Sequence, residues 1–125
     1  MMSDTNQKNK NDLKKRAYVY ALNLIKFVDG LNKKDLGVQI LSRQLMRSGT
    51  SIGANIVEAQ AGSSRKDFTN FFLHSLKSAN ESSFWLGLLR DSRKADGTKA
   101  DILIGETREL ANILGSSVVT LRKRG

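Results

Sequence analysis

The chain has 125 residues, a net charge of +9, no cysteine and no proline. This length fits one domain, and the lack of cysteine excludes disulfides and thiolate metal sites. No apolar run approaches the roughly 20 residues that cross a bilayer, and the polar start of the chain has no apolar signal-peptide core. We therefore expect a soluble cytoplasmic protein with a basic surface that favours anionic partners.

The first predicted element is a helix over residues 12–29. Lack of proline favours long helices, and apolar residues recur here with a period of about 3.6. Asp12 is the predicted N-cap and Gly30 the stop signal. The buried stripe is predicted to comprise Leu13, Ala17, Tyr20, Leu24 and Val28. Residues 1–11 are predicted to form a disordered polar tail.

The second and third helices follow with clear boundary signals. The second is predicted to start near Asp35 and to end near Gly62, with an apolar stripe along one face. Ser64 and Asp67 have the spacing of a capping box, with Asp in the position usually held by Glu. This pair predicts the start of the third helix. Tyr18 and Trp85 are expected to anchor the core or an interface.

The fourth helix is predicted after a turn at Asp96–Gly97, with Thr98 as its N-cap. Its buried face is predicted to include Ile102 and Leu110. Because the connections are short, consecutive helices are expected to be antiparallel. The predicted fold is all-α, an up-down-up-down antiparallel four-helix bundle over residues 12–125.

Residues 47–64 read RSGTSIGANIVEAQAGSS, which raises the choice between a phosphate-binding loop and a slim helix. A P-loop needs G-x-x-x-x-G-K-[ST] after a strand, and this segment has neither the spacing nor the lysine. In a helix, Gly49 and Gly53 share a face without side chains, where another backbone can approach closely. Since each interior glycine costs about 1 kcal/mol, we expect this face to contact a second chain as well as the bundle.

A seam of polar and small residues runs along the same helix at 4-3-4-3 spacing. Its partners are expected on the third helix, and Arg47 is expected to pair with Glu58 or Glu81. The predicted structural network or interface comprises Gln44, Arg47, Ser48, Ser51, Asn55, Glu58, Ser78 and Glu81.

The two glutamates of this network, Glu58 and Glu81, also suggest another function. Paired carboxylates can serve acid–base catalysis or a di-metal site. The chain has one histidine and no Glu-x-x-His motif. We therefore expect a structural network, with no metal, no cofactor and no enzyme activity.

Residues 44–59 resemble the signature Q-x-x-R-[SA]-x-x-S-I-x-x-N-I-x-E-[GA] of the four-helix-bundle family encoded in 23S ribosomal RNA intervening sequences. Residues 63–68, SSRKDF, resemble the start of that family's third helix, and the resemblance covers residues 12–122. Gly53 stands where the family often has proline, and Ala59 where it often has glycine.

This resemblance implies a short up-down bundle that assembles as a homopentamer with a central channel. It also implies kinship with the basic accessory proteins of diversity-generating retroelements, which work with a reverse transcriptase and RNA. It implies no known enzyme activity.

Antiparallel topology gathers most of the excess charge at one end of the bundle. The start of the first helix, the turn between the second and third, and the end of the fourth bring ten basic residues against four acidic ones. The predicted nucleic-acid-binding residues are Lys14, Lys15, Arg16, Arg65, Lys66, Arg122, Lys123 and Arg124. No base-reading motif is present, and few aromatic residues are expected to be exposed, so binding should be directed to the phosphate backbone.

RNA is the first choice of partner and DNA the second. The alternative is a protein–protein adaptor that docks an acidic partner such as a reverse transcriptase or a ribosomal component. No membrane and no small-molecule substrate is expected as a partner.

Overall fold

The computed structural model of the protein describes residues 4–62 and 64–124. Four helices follow one another in this part of the chain: α1 Asp4–Asp29, α2 Leu36–Ala61, α3 Arg65–Asp91 and α4 Gly97–Arg124. Each helix packs against its two neighbours in a closed cycle, and α1 is held least extensively. No strand occurs among the described residues. The predicted all-α four-helix bundle is confirmed.

Helix α1 begins at Asp4, so Asp12 lies inside the helix and is not its N-cap. Residues 4–11 are polar but contain neither proline nor glycine, and a helical backbone can therefore continue through them. The division into a disordered tail and a bundle stays a prediction, and residues 1–3 lie outside the described residues.

The predicted start of α2 near Asp35 and the predicted capping of α3 by Ser64 are confirmed. The Asp35 carboxylate accepts a hydrogen bond from the Val38 amide at 3.0 Å. The Ser64 hydroxyl accepts one from the Asp67 amide at 3.1 Å. Each side chain satisfies an amide that has no partner within the first turn of its helix.

Helix α4 is capped by Asp96 rather than by Thr98. The Asp96 carboxylate accepts from the Lys99 amide at 2.9 Å, because the helix begins two residues earlier than predicted, at Gly97. The same connection is tied to the start of α2, since Lys94 Nζ donates to the Asp35 carboxylate at 2.8 Å.

The glycine face of α2 packs against α1 of the same chain. A Cβ added to Gly49 would lie 2.2 Å from Leu24 Cδ2, and one added to Gly53 would lie 3.4 Å from Ala17 Cβ. The predicted slim helix is therefore confirmed, and its bare side is covered within the bundle. Contact with a second chain is not needed to account for these glycines and stays a prediction.

A buried layer of hydroxyl groups connects the helices within the apolar core. Ser48 of α2 and Ser82 of α3 share a hydrogen bond of 2.8 Å, and Tyr20 of α1 shares one of 2.7 Å with Thr107 of α4. Burial raises the pKa of the Tyr20 phenol, while hydrogen bonds with Thr107 and Ser82 oppose that rise. Each helix thus contributes one hydroxyl, and we call these four residues the hydroxyl layer.

We expect Gly49→Ala to lower the free energy of unfolding by about 1–2 kcal/mol, because the new methyl group would overlap Leu24 in a packed core. The control is Gly105→Ala, since nothing lies within 4 Å of a Cβ added there. That substitution should raise stability by about 0.5–1 kcal/mol through helix propensity. Urea unfolding measures both values. Equal stabilisation by both substitutions would mean that α1 does not approach α2 closely at Gly49.

We expect Tyr20→Phe to lower the free energy of unfolding by about 1 kcal/mol, because hydroxyl groups in the buried layer lose a partner. Tyr18→Phe is the matched control, since Tyr18 is 67% exposed and should show no change.

The raised pKa of Tyr20 means that the unfolded chain releases this proton first, so stability should fall as pH rises above about 10. Tyr20→Phe should reduce that alkaline loss in urea titrations, and an unchanged loss would contradict the assignment.

Candidate functional site

The predicted basic residues of α3 and α4 meet at one end of the bundle, and those of α1 lie beside the last turns of α2. Arg65 Nη1 at the start of α3 donates to the Arg124 carbonyl oxygen at the end of α4 at 3.0 Å. Lys14 of α1 lines the same surface recess as Val57, which lies one turn before α2 ends. Seven of the predicted side chains are exposed here, and we call them the basic end: Lys14, Lys15, Arg65, Lys66, Arg122, Lys123 and Arg124.

The cations of the basic end form no ion pairs within the described part of the chain. The ion pairs formed by the described residues include none of the seven. These exposed side chains can therefore meet an anion without first breaking an ion pair, although Arg65 also donates to the Arg124 carbonyl oxygen. This arrangement suits phosphate groups, which such cations bind by charge and by hydrogen bonding.

Arg16, the eighth predicted residue, has a different role. Its Nε donates to Glu106 Oε1 at 2.6 Å, and its Nη2 bonds Glu106 Oε2 and Glu109 Oε2. The hydrogen bond to Glu106 raises the pKa of Arg16 above its usual value, against the opposing effect of burial. Arg16 therefore ties α1 to α4, and its charge is matched by two carboxylates.

The guanidinium of Arg47 organises a polar cluster on the outer side of α2 and α3. It donates to the Glu81 carboxylate and, at 3.0 and 3.2 Å, to the side-chain oxygen of Gln44. Trp85 Nε1 donates to the same Glu81 oxygen at 2.9 Å. Of the two partners that the sequence left open for Arg47, the structure selects Glu81. Trp85 is thus half-buried and held by a hydrogen bond.

Glu58 lies apart from this cluster. It is exposed and follows Arg47 by three turns of α2, a separation of roughly 16 Å along the helix axis. Glu58 and Glu81 therefore do not form the paired carboxylates that the catalytic alternative needs. Within the described residues, no group of three or more histidine, aspartate or glutamate side chains could hold a metal ion.

The remaining residues of the predicted polar seam divide between the core and the surface. Ser48 belongs to the buried hydroxyl layer, and the Ser78 carbonyl accepts from Ser82 Oγ at 2.8 Å. Ser51 Oγ donates to the Arg47 carbonyl at 2.7 Å, and Asn55 Nδ2 donates to the Ser51 carbonyl at 2.8 Å. Ser51 and Asn55 are half-buried and satisfied by their own helix, so their part in an interface stays a prediction.

Two recesses flank α1. A groove of about 760 Å³ between α1 and α4 has an apolar floor that includes Phe27 and Leu103. A recess of about 540 Å³ between α1 and α2 lies beside Tyr18, which is 67% exposed and therefore not part of the core. Sequence reasoning missed this surface, although Tyr18 lies off the buried stripe of α1.

Across the described part of the chain, no helix combines the length and the apolar character that a membrane span requires.

The chain is similar to known proteins in sequence and in fold. The family model for the 23S rRNA-intervening sequence protein matches residues 9–116. The crystal structure at 1.70 Å of a Bacteroides thetaiotaomicron VPI-5482 protein, described as having unknown function and coming from the S23 ribosomal protein family, is similar with a TM-score of 0.80. The two chains are 32% identical, and the match covers 87% of this chain and 96% of the other. A search of curated proteins found no match.

The matched region contains all of α2 and α3 and the greater part of α1 and α4. It includes the glycine face, the Arg47 cluster and the hydroxyl layer, so the features that shape the bundle all lie within the family's own limits. The chain belongs to the 23S rRNA-intervening sequence protein family.

Proposed function

We propose that this protein is a non-enzymatic, homo-oligomeric scaffold that binds nucleic acid, RNA in the first place, through the phosphate backbone. The observation that carries the proposal is the basic end, whose seven exposed cations form no ion pair with any residue that the structure describes. Phosphate contacts release condensed counterions, and this release favours binding without regard to sequence.

The positions of these cations support one shared binding surface rather than a set of separate surface charges. They come from α1, from the start of α3 and from the last turn of α4, and the bond between Arg65 and the Arg124 carbonyl fixes two of these elements together. The α4 cations lie in the last helical turn, where the carbonyl ends of the helix favour positive charge. Rigid helix ends can therefore present several cations to one backbone.

Oligomerisation would strengthen such a surface. We propose the homopentamer that the family resemblance implies, in which five copies of the basic end share one side of a ring. Many weak phosphate contacts then act together on one strand, and the effective affinity rises through multivalency.

We expect RNA binding to be lost when Arg65, Lys66, Arg122 and Lys123 are all changed to glutamate. The matched control changes four exposed residues outside the basic end to glutamate and so lowers the net charge equally: Lys26, Lys34, Arg93 and Lys99. Fluorescence anisotropy with labelled RNA at several salt concentrations measures both variants. The first should bind at least ten-fold more weakly than the control, and wild-type affinity should fall steeply with salt.

The result that would overturn the proposal is an absence of RNA binding by the wild-type protein even at low salt. An equal loss in both variants would show a diffuse charge effect rather than a surface at the basic end. Native mass spectrometry of protein purified with and without nuclease reports the number of subunits and any bound nucleic acid. A complex with an acidic protein that survives nuclease treatment would support the adaptor function instead.

A further inference from the structure

An exposed aromatic ring lies next to the basic end on α1. Tyr18 follows Lys14 by one turn, so the two side chains share a helix face, and Lys15 flanks the same surface. The Tyr18 side chain is 67% exposed, which is unusual for a residue that could have packed into the core. Proteins that bind single-stranded nucleic acids combine exposed aromatic rings with positively charged side chains.

The ring borders a shallow recess between α1 and α2. Small side chains line it, because Ala17 and Ala21 of α1 face Gly53 and Ala54 of α2. The two helices nearly touch beneath it, since a Cβ added to Gly53 would lie 3.4 Å from Ala17 Cβ. Its volume is about 540 Å³.

We infer that Tyr18 and this recess hold an unpaired base of single-stranded RNA, stacked on the phenol ring, while Lys14 and Lys15 bind the flanking phosphates. The inference rests on the proposed function and specifies the form of RNA. A nucleotide has an apolar aromatic face next to an anion, and this surface places an apolar recess next to two unpaired cations. A duplex cannot use it without exposing a base, because its bases are stacked inside the helix.

The recess should accept different bases. The hydroxyl of Thr50, one of its lining residues, already donates to the Met46 carbonyl at 2.6 Å. Apart from Thr50, Tyr18 and the two lysines, the lining residues are alanine, glycine or valine and have no polar side-chain atoms. Stacking tolerates every base because each has a π-face, so we expect little sequence preference.

The test compares Tyr18→Ala with Tyr18→Phe, which keeps the ring. Phe84→Ala is the matched control, since Phe84 is an aromatic residue of α3 that is 59% exposed and outside the recess. Fluorescence anisotropy measures binding of labelled oligoadenylate and oligouridylate of about 16 nucleotides, and of an RNA duplex of the same length. Lys14→Gln combined with Lys15→Gln is measured over a salt series.

Tyr18→Ala should weaken single-strand binding roughly 5- to 150-fold, the loss expected for one stacked base, and should leave duplex binding unchanged. Tyr18→Phe and Phe84→Ala should bind single strands as the wild type does. The double lysine variant should reduce the salt slope of single-strand binding by about 0.7 for each lost phosphate contact.

Wild-type binding of RNA with no effect of Tyr18→Ala would overturn the stacking site alone and leave the basic end intact. If neither single strands nor duplexes bind the wild type, the proposed function fails as well. If Tyr18→Ala changes the subunit number in native mass spectrometry and Phe84→Ala does not, the surface is a contact between protein copies, and the stacking site is wrong.

Discussion

The close approach of α1 to the bare face of α2 is the contact on which the rest of the structure depends. Leu24 occupies the space that a side chain at position 49 would need, and Ala17 lies against Gly53. Helix α1 packs less extensively than the other helices, so this contact contributes much of what holds it in the bundle. The interior glycines weaken α2 as an isolated helix, and tertiary packing has to compensate for that cost.

The hydroxyl layer adds specificity to this packing. A buried hydroxyl without a partner is costly, so a helix that shifted by one turn would lose a hydrogen bond in a medium of low dielectric constant. Ser48, Ser82, Tyr20 and Thr107 satisfy one another across the core, and among the described residues no buried side-chain polar atom lacks a partner. The layer therefore favours one register of the four helices, which in turn fixes the ends where the charges lie.

Charge is distributed over this framework in two different ways. Arg16 and Arg47 are matched by glutamates and join neighbouring helices. The cations of the basic end, which come from three helices, form no ion pairs within residues 4–62 and 64–124. A pair that links two helices is used within the chain, whereas an unpaired cluster is available to an external anion. This contrast, rather than the net charge alone, separates the structural arginines from the candidate binding surface, and the exposed Tyr18 extends that surface along α1.

The sequence by itself determined the fold class and three of the four ends of α2 and α3, because apolar period, capping residues and glycine spacing are local signals. The family followed from the resemblance of residues 44–59 and 63–68 to its motifs. The sequence placed Leu24 in the core correctly but also placed Ile102 there, which is 68% exposed. Periodicity marks an apolar stripe, yet it cannot say how wide a face the neighbouring helices cover. Only the tertiary structure decided that Arg47 pairs with Glu81 and that Arg16 pairs with Glu106 and Glu109. Each of these depends on distances between residues on different helices, which no local pattern contains.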